Sequence, residues 1–103
     1  MSEQEQEYLV TINVPPILEE AVVDCLLAIE SADGFSSLAV NAHTSEHQGL
    51  SLAEQVAGRQ KQVRFQMYVP EQQLSVLIKQ LKQCFSGSGI HYWVLPVLES
   101  GTI

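Results

Sequence analysis

Two imidazoles and a carboxylate lie within a short stretch of this sequence, at His43, Glu46 and His47. Imidazole nitrogens and carboxylate oxygens are ligands that zinc, copper and nickel accept, and three of them can form an open site or one that a second subunit completes. The flanking residues indicate the end of a strand followed by a loop, so the spacing of the histidines lacks the meaning it has on a helix. Two interpretations stay open: a transition-metal site and an exposed polar loop.

Gly87, Ser88 and Gly89 form a second candidate site, because they follow a predicted helix and precede the last predicted strand. Glycines in that position commonly cap the helix and make the turn. The same position also suits a loop that faces a ligand. His91, two residues further on, is a candidate to join one of these sites, with an ordinary histidine at a strand edge as the alternative.

Positive charge is scarce and unevenly placed. The 103 residues carry 5 Lys and Arg against 12 Asp and Glu, a net charge of −7. No Lys or Arg precedes Arg59, and none follows Lys82. This charge opposes general binding to nucleic acids and to anionic lipid. Arg59, Lys61 and Arg64 form the one basic cluster, which could receive an anionic ligand or pair with acids such as Glu54.

The two cysteines, Cys25 and Cys84, belong to no Cys-x-x-Cys motif, and each falls on the apolar stripe of a predicted helix. We expect buried thiols that act as small hydrophobic side chains. A disulfide or a thiolate metal site is the alternative. Two cysteines so far apart are not the framework of a secreted disulfide-rich protein, so we expect a reducing, cytoplasmic compartment.

Signatures of catalysis and of membrane targeting are missing from the sequence. It contains no Gly-x-Ser-x-Gly, P-loop or His-Glu-x-x-His motif, so we expect a protein that is not an enzyme. Residues 1–7 are acidic and polar, which is untypical of a signal peptide. No apolar run approaches the roughly 18 residues of a membrane span, so we expect no direct membrane insertion.

The apolar pattern predicts the elements that position these residues. Alternation predicts strands, and 3.6-residue periodicity predicts helices. The strands cover residues 8–14, 37–43, 63–69 and 90–97, and the helices cover 17–31 and 70–85. This order, βαββαβ with a long connection over residues 44–60, predicts a ferredoxin-like α+β fold: a four-stranded antiparallel sheet with both helices on one face.

The last predicted strand is apolar on both of its faces. Tyr92 and Val94 alternate there with Trp93, Leu95 and Val97. A sheet that helices cover on one side does not need a second apolar face. We therefore expect a homo-oligomer that packs through the uncovered face.

Three features together resemble the PII-like signalling superfamily. The element order includes a long connection where PII proteins carry their T-loop. Residues 61–73 are similar to the third PII strand running into its second helix. Gly87-Ser88-Gly89, followed by residues 90–97, is similar to the PII B-loop and the strand after it.

Residues 53–59 further resemble a small PII-like branch of unknown function that is often associated with heavy-metal efflux systems. The resemblance covers residues 8–98. It leaves an acidic tail over residues 1–7 and a C-terminal tail over residues 99–103.

The resemblance implies a homotrimer that binds a small ligand in clefts between subunits, near His43, Arg59 and the turn at Gly87. Signalling would pass through the long connection. PII proteins hold ATP with basic residues after the B-loop and near the C-terminus. Here Ile90 and His91 follow the turn instead, so we expect that ATP is not the ligand.

We therefore expect a non-catalytic regulatory protein. A transition metal is the first candidate ligand, and a small anion or nucleotide is the second. The partner would be a membrane transporter or another regulated protein. Two alternatives stay open: a CutA-like metal-binding accessory protein of heavy-metal tolerance, and a dimeric ferredoxin-like enzyme such as a monooxygenase or isomerase.

Overall fold

The computed structural model describes residues 6–29, 34–43 and 59–103. Within them the chain forms four strands, two α-helices and a 3-10 turn. In chain order these are β1 (Glu7–Val14), the 3-10 turn (Pro16–Leu18), α1 (Glu19–Ala28), β2 (Ser36–His43), β3 (Arg59–Pro70), α2 (Glu71–Phe85) and β4 (His91–Val97).

The strands form one sheet in the order β2-β3-β1-β4, and every neighbouring pair is antiparallel. Strands β1 and β3 lie at the centre, so each of them pairs on both edges. This arrangement confirms the predicted ferredoxin-like fold. It also places the start of β4 beside the end of β1, where His91 pairs with Asn13.

One face of the sheet, called the covered face here, carries both helices. The buried side chains of α1 and α2 pack with alternate residues of β1 and β3 into a single core. The members of this core are Val10, Ile12, Val14, Val22, Leu26, Phe65, Met67, Val69, Leu77 and Leu81. Alternation in the third strand predicts that Val63, Phe65, Met67 and Val69 face inward, and this prediction is confirmed.

The first helix was expected over residues 17–31, and this expectation is wrong at both ends. A 3-10 turn follows Pro15, with the Leu18 N–H donating to the Pro15 carbonyl at 2.9 Å, and α1 begins only at Glu19. At the other end Ile29 is extended, with φ −83° and ψ 121°. An extended residue cannot continue the helical hydrogen bonds, so α1 ends at Ala28.

Strand β3 is longer than its alternating core predicts. Backbone pairing with β2 extends it back to Arg59, opposite His43, although these added positions are polar. The connection between the two strands therefore covers residues 44–58, which lie outside the described residues. Strand β4 begins at His91, one residue later than expected.

The opposite face of the sheet, called the open face here, has no helix packed on it among the described residues. Register and alternation place on it Leu9, Thr11, Asn13, Leu38, Val40, Arg64, Gln66, Tyr68, Trp93, Leu95 and Val97. Leu38, Tyr68 and Leu95 are each about half exposed. The predicted apolar second face of the last strand is thus present, and β1 and β2 extend it.

None of the helices in the described parts of the chain is long and apolar enough to cross a membrane.

Candidate ligand site

A cavity of about 340 Å³ opens where α2 ends and β4 begins. Side chains of β1, α2 and β4 form its walls, and the turn between α2 and β4 closes one side. Its lining comprises Ile12, Ile78, Leu81, Lys82, Phe85, Tyr92 and residues 86–90. The lining is therefore mostly apolar, and its polar groups are one ammonium, three hydroxyl groups and the backbone of the turn.

The apolar side chains of the amphipathic helix α2 form the inner wall of the cavity. Leu77 and Leu81 are buried against the sheet, while Ile78 and Phe85 are only partly covered. Ile78, Lys82 and Phe85 recur at helical spacing, so they share the side of α2 that turns toward β4. The helix thereby supplies apolar surface deep in the cavity and an ammonium group near its mouth.

The turn takes its shape from two glycines. Gly87 and Gly89 have φ angles of 76° and 84°, in the left-handed region that other residues rarely adopt. The Ser88 N–H donates to the Phe85 carbonyl at 3.0 Å, and the Ile90 N–H donates to the Ser88 hydroxyl at 3.3 Å. A Cβ atom at either glycine would meet no atom within 4 Å, so the requirement for glycine is conformational rather than steric.

Lys82 supplies positive charge at the cavity. Its Nζ lies 5.6 Å from the centroid of the Tyr92 ring, a distance at which an ammonium is attracted to the aromatic face. This contact keeps the ammonium near the Tyr92 ring, and both side chains line the cavity. Lys82 and Ser88 line the same cavity, and ammonium and hydroxyl groups can both donate to a carboxylate or phosphate oxygen.

Gly87, Ser88 and Gly89, three of the residues singled out in the sequence, line this cavity. His91 does not line it. The residue pairs with Asn13 on the open face, is exposed, and its ring centroid lies 5.7 Å from that of Trp93. The His91 side chain therefore lies on the opposite face of the sheet from the cavity, although His91 is close to the glycine turn in sequence.

His43 and Arg59 are cross-strand partners at the ends of β2 and β3. Arg59 lies four residues beyond Val63, the last β3 residue that pairs with β1. His43 is not among the residues that line the cavity beside the glycine turn. Glu46 and His47 lie outside the described residues.

A three-residue metal centre is not found within the described part of the chain, where no group of three or more His, Cys, Asp and Glu side chains is close enough to hold a metal ion. Two of the three proposed ligands, Glu46 and His47, fall outside that part. The metal site at His43 therefore stays a prediction.

Lys82 and Tyr92 were not singled out from the sequence, yet they flank the cavity. A usable signal existed for both residues. Lys82 lies within the last turn of the predicted helix before the glycine turn, and alternation places Tyr92 on the same face of β4 as Val94, toward the helices. The sequence did not show that the end of α2 and the start of β4 lie close together.

A second polar group lies on the open face. The Arg64 guanidinium lies 5.2 Å from the centroid of a Trp93 ring, and its Nε donates to the Asn13 Oδ1 at 2.9 Å. Nearby, Thr11 is almost fully buried, and its hydroxyl has no hydrogen-bond partner among the described residues. These polar atoms are set among the apolar side chains of an otherwise uncovered surface.

Comparison with known families identifies one match over nearly the whole chain. Residues 4–103 match a family described as "Protein of unknown function (DUF3240)". Comparison with curated proteins found no match.

Solved structures with similar folds include a second protein of that family and two PII proteins. A DUF3240 family protein from Shewanella baltica is 21% identical with a TM-score of 0.78, over 97% of this chain and 99% of the other. Arabidopsis thaliana PII bound to citrate is 18% identical with a TM-score of 0.66, over 91% and 79% of the two chains. CPII from Thiomonas intermedia, a PII-like protein bound to ADP, AMP and bicarbonate, is 15% identical with a TM-score of 0.68, over 97% and 98%. At these identities the similarity establishes a PII-like fold.

Proposed function

We propose that this chain, which belongs to the DUF3240 family of proteins of unknown function, is a non-catalytic, PII-like regulatory protein that binds a small anionic ligand. The observation that carries this proposal is the cavity beside the glycine turn, with Lys82 at its mouth. PII bound to citrate and CPII bound to ADP, AMP and bicarbonate, whose folds are similar, support an anion as the ligand class.

The chemistry of the cavity sets the size and charge of the ligand. A single ammonium suits one carboxylate or one phosphate better than a triphosphate, whose charge needs several cationic donors. The apolar wall formed by Ile78, Leu81 and Phe85 accommodates a carbon skeleton or a flat ring. Small carboxylates, bicarbonate and nucleoside monophosphates are therefore the candidates, and ATP is a poor one.

The test is a calorimetric titration with citrate, bicarbonate, AMP and ADP on the wild type and on Lys82→Gln. Loss of the ammonium should weaken binding of an anion by about 10-fold, a typical loss for one charge-assisted hydrogen bond. Lys79→Gln is the matched control. Lys79 is exposed on the same helix one turn earlier, does not line the cavity, and should change affinity by less than about 2-fold.

Equal affinity of the Lys82→Gln variant and the wild type for every anion that binds would contradict the assignment of this cavity. Absence of binding by all four anions would contradict the anionic ligand class.

We further propose that copies of the chain associate through the open face, with a trimer as the expected state. The support is the number of partly exposed apolar side chains on that face, Leu38, Tyr68 and Leu95 among them. Subunits that meet through their sheets leave the helices on the outside, and the glycine turn lies at the end of the sheet, between the helix layer and the open face. The turn would then border a cleft between neighbouring subunits, which a ligand could bridge.

The regulatory output would pass through residues 44–58, between β2 and β3. Ligand binding would change how this segment meets a partner protein in the cytoplasm, such as a transporter. The flanking pair His43 and Arg59 connects the segment to the sheet.

A transition metal is the second candidate ligand, and the exposed His43 at the end of β2 favours it. Together with Glu46 and His47 it would supply three ligands for zinc, copper or nickel. Calorimetric titration with each metal on the wild type and on a His43→Ala/His47→Ala double variant tests this site. Binding that is unchanged in the double variant would exclude it, whereas binding lost in the double variant would support metal capture.

A further inference from the structure

Arg64 lies outside the proposed ligand cavity, yet two contacts fix its side chain on the open face. Strand β1 lies between β3, which carries Arg64, and β4, which carries Trp93. The Arg64 Cζ lies 5.2 Å from the centroid of a Trp93 ring, so the Arg64 side chain crosses β1 to reach that ring. Its Nε donates to the Asn13 Oδ1 at 2.9 Å. The guanidinium is therefore held in place by an aromatic ring and a carboxamide.

The guanidinium keeps hydrogen-bond donors that the described residues do not use. Asn13 occupies the Nε of Arg64, and both Nη groups have no hydrogen-bond partner among the described residues. The hydroxyl of Thr11, the cross-strand partner of Trp93, is also buried there without a partner. Arg64 itself is partly buried, so water solvates its charge incompletely. A carboxylate that accepts from both Nη groups would compensate for this loss of solvation.

A carboxylate lies at the other end of the same face. Alternation along β1 places Glu7 on the open face together with Leu9 and Asn13. The Glu7 Oε1 accepts from the Ser100 Oγ at 3.1 Å, which leaves the second carboxylate oxygen for another donor. Glu7 is six residues from Asn13, the cross-strand partner of Arg64, and six extended residues span about 20 Å. Glu7 and Arg64 are therefore too far apart to pair within one chain.

The two charges make the open face complementary to itself. Among the strand residues described on this face, Glu7 is the one acid and Arg64 is the one Lys or Arg. The apolar row of Leu9, Tyr68 and Leu95 lies between them along the strands. A second copy whose strands cross this face in the opposite sense brings its carboxylate to the guanidinium of the first copy. Apolar side chains of the two copies meet between these ends.

We propose that Glu7 of one copy pairs with Arg64 of a neighbouring copy, and that this ion pair sets how the copies align when their open faces meet. The inference rests on the proposed association through the open face and adds which side chains meet there. In a ring of three, each copy would give its Glu7 to one neighbour and its Arg64 to the other. Copies that each carry a net charge of −7 repel one another, and pairs of opposite charge at the contact oppose that repulsion.

The test measures the self-association constant by sedimentation equilibrium over a range of protein concentrations. Arg64→Glu and Glu7→Arg each place like charges at every contact, and each should weaken association by about 30-fold or more. The double variant Glu7→Arg/Arg64→Glu places opposite charges at every contact again. Its association constant should return to within about 5-fold of the wild-type value.

Asp24→Arg/Arg64→Glu is the matched control for this rescue. It has the same net charge as the double variant with exchanged charges, but Asp24 is exposed on α1, away from the open face. It should associate as weakly as Arg64→Glu alone. Far-UV circular dichroism checks that every variant folds.

Glu7→Gln provides a second measurement that leaves the contact between Arg64 and Trp93 in place. It removes the negative charge while keeping nearly the same shape, and it should weaken association by about 10-fold or more.

Three results would overturn the proposal, and they separate it from the proposed association. If the wild type assembles but the double variant with exchanged charges associates no more tightly than the single reversals, the ion pair is wrong and the open-face association stands. If Arg64→Glu weakens association but Glu7→Gln does not, Arg64 meets a different group and the pairing is wrong. A wild type that is a monomer at every concentration would overturn both the association and the ion pair.

Discussion

The two faces of the sheet are built from the same strands, yet they differ in what covers them. On the covered face, Phe65 is fully buried and its ring packs at a tilt of 57° against that of Phe35, with ring centroids 5.9 Å apart. On the open face, Tyr68 of the same strand is 46% exposed. The side chains of the covered face are buried within one chain. The open face has partly exposed apolar side chains, and the buried Thr11 hydroxyl there has no hydrogen-bond partner among the described residues. This difference supports the proposal that copies of the chain associate through the open face.

The largest effect on the free energy of unfolding should come from removing a buried side chain of the covered face. Phe65→Ala removes a fully buried ring and should lower the free energy of unfolding by about 3–5 kcal/mol. Tyr68→Ala, on the other face of β3, is the matched variant and should cost about 1 kcal/mol in the isolated subunit, since nearly half of the side chain is already exposed. Urea unfolding at low protein concentration measures both.

Similar losses for these two variants would mean that the open face is as well packed within one chain as the covered face. The contrast between the faces would then be wrong.

The next effect concerns association. Leu95→Arg places a charge on the open face, in the edge strand β4, and should weaken self-association by about 100-fold, because an unpaired charge would be buried between subunits. Leu27→Arg, at a 69% exposed position on α1, is the matched control and should leave the assembly intact. Light scattering coupled to size-exclusion chromatography reports the mass of each. A wild type that is a monomer, or an assembly that Leu27→Arg disrupts instead, would contradict the assigned interface.

The smallest effect is a pH dependence of the unfolding free energy, which arises from the Cys25 thiol of α1. The pKa of Cys25 is raised in the folded protein to about 11, so the unfolded chain releases this proton at lower pH than the folded protein does. The resulting stability is present below about pH 9 and is lost as pH rises toward 11. The difference in unfolding free energy between the reduced wild type and Cys25→Ala should therefore shrink over this interval. A difference that grows with pH would show that the folded environment favours the thiolate.

The parts of the fold that could be predicted are those where one residue pattern decides the structure. The alternation of Val63, Phe65, Met67 and Val69 identified both the strand and its buried side. The two apolar faces of β4 revealed the open face, because no single covering layer explains them. These features depend on local periodicity and burial, which the sequence carries directly.

The parts that could not be predicted depend on contacts between distant segments. The 3-10 turn after Pro15 and the early end of α1 at Ala28 depend on how the chain enters and leaves the helix layer. The cavity needs α2 and β4 to approach each other, so the position of Lys82 in the last turn of the helix did not by itself reveal its role. His91 is different. Alternation along β4 places the His91 side chain on the opposite face of the sheet from Tyr92. Because His91 is close to Gly89 in sequence, it was nevertheless expected to share a ligand site with the glycine turn.

The central claim is that a small anion binds in the cavity between the glycine turn and the end of α2. An NMR titration of the ¹⁵N-labelled protein with AMP or citrate tests it most directly, because each backbone amide reports its own surroundings. The account predicts that the largest shifts occur at Lys82, Gly87, Ser88 and Gly89, and that Lys82→Gln reduces them. Largest shifts at Asn13, Arg64 and His91 would place the ligand on the open face and contradict the account.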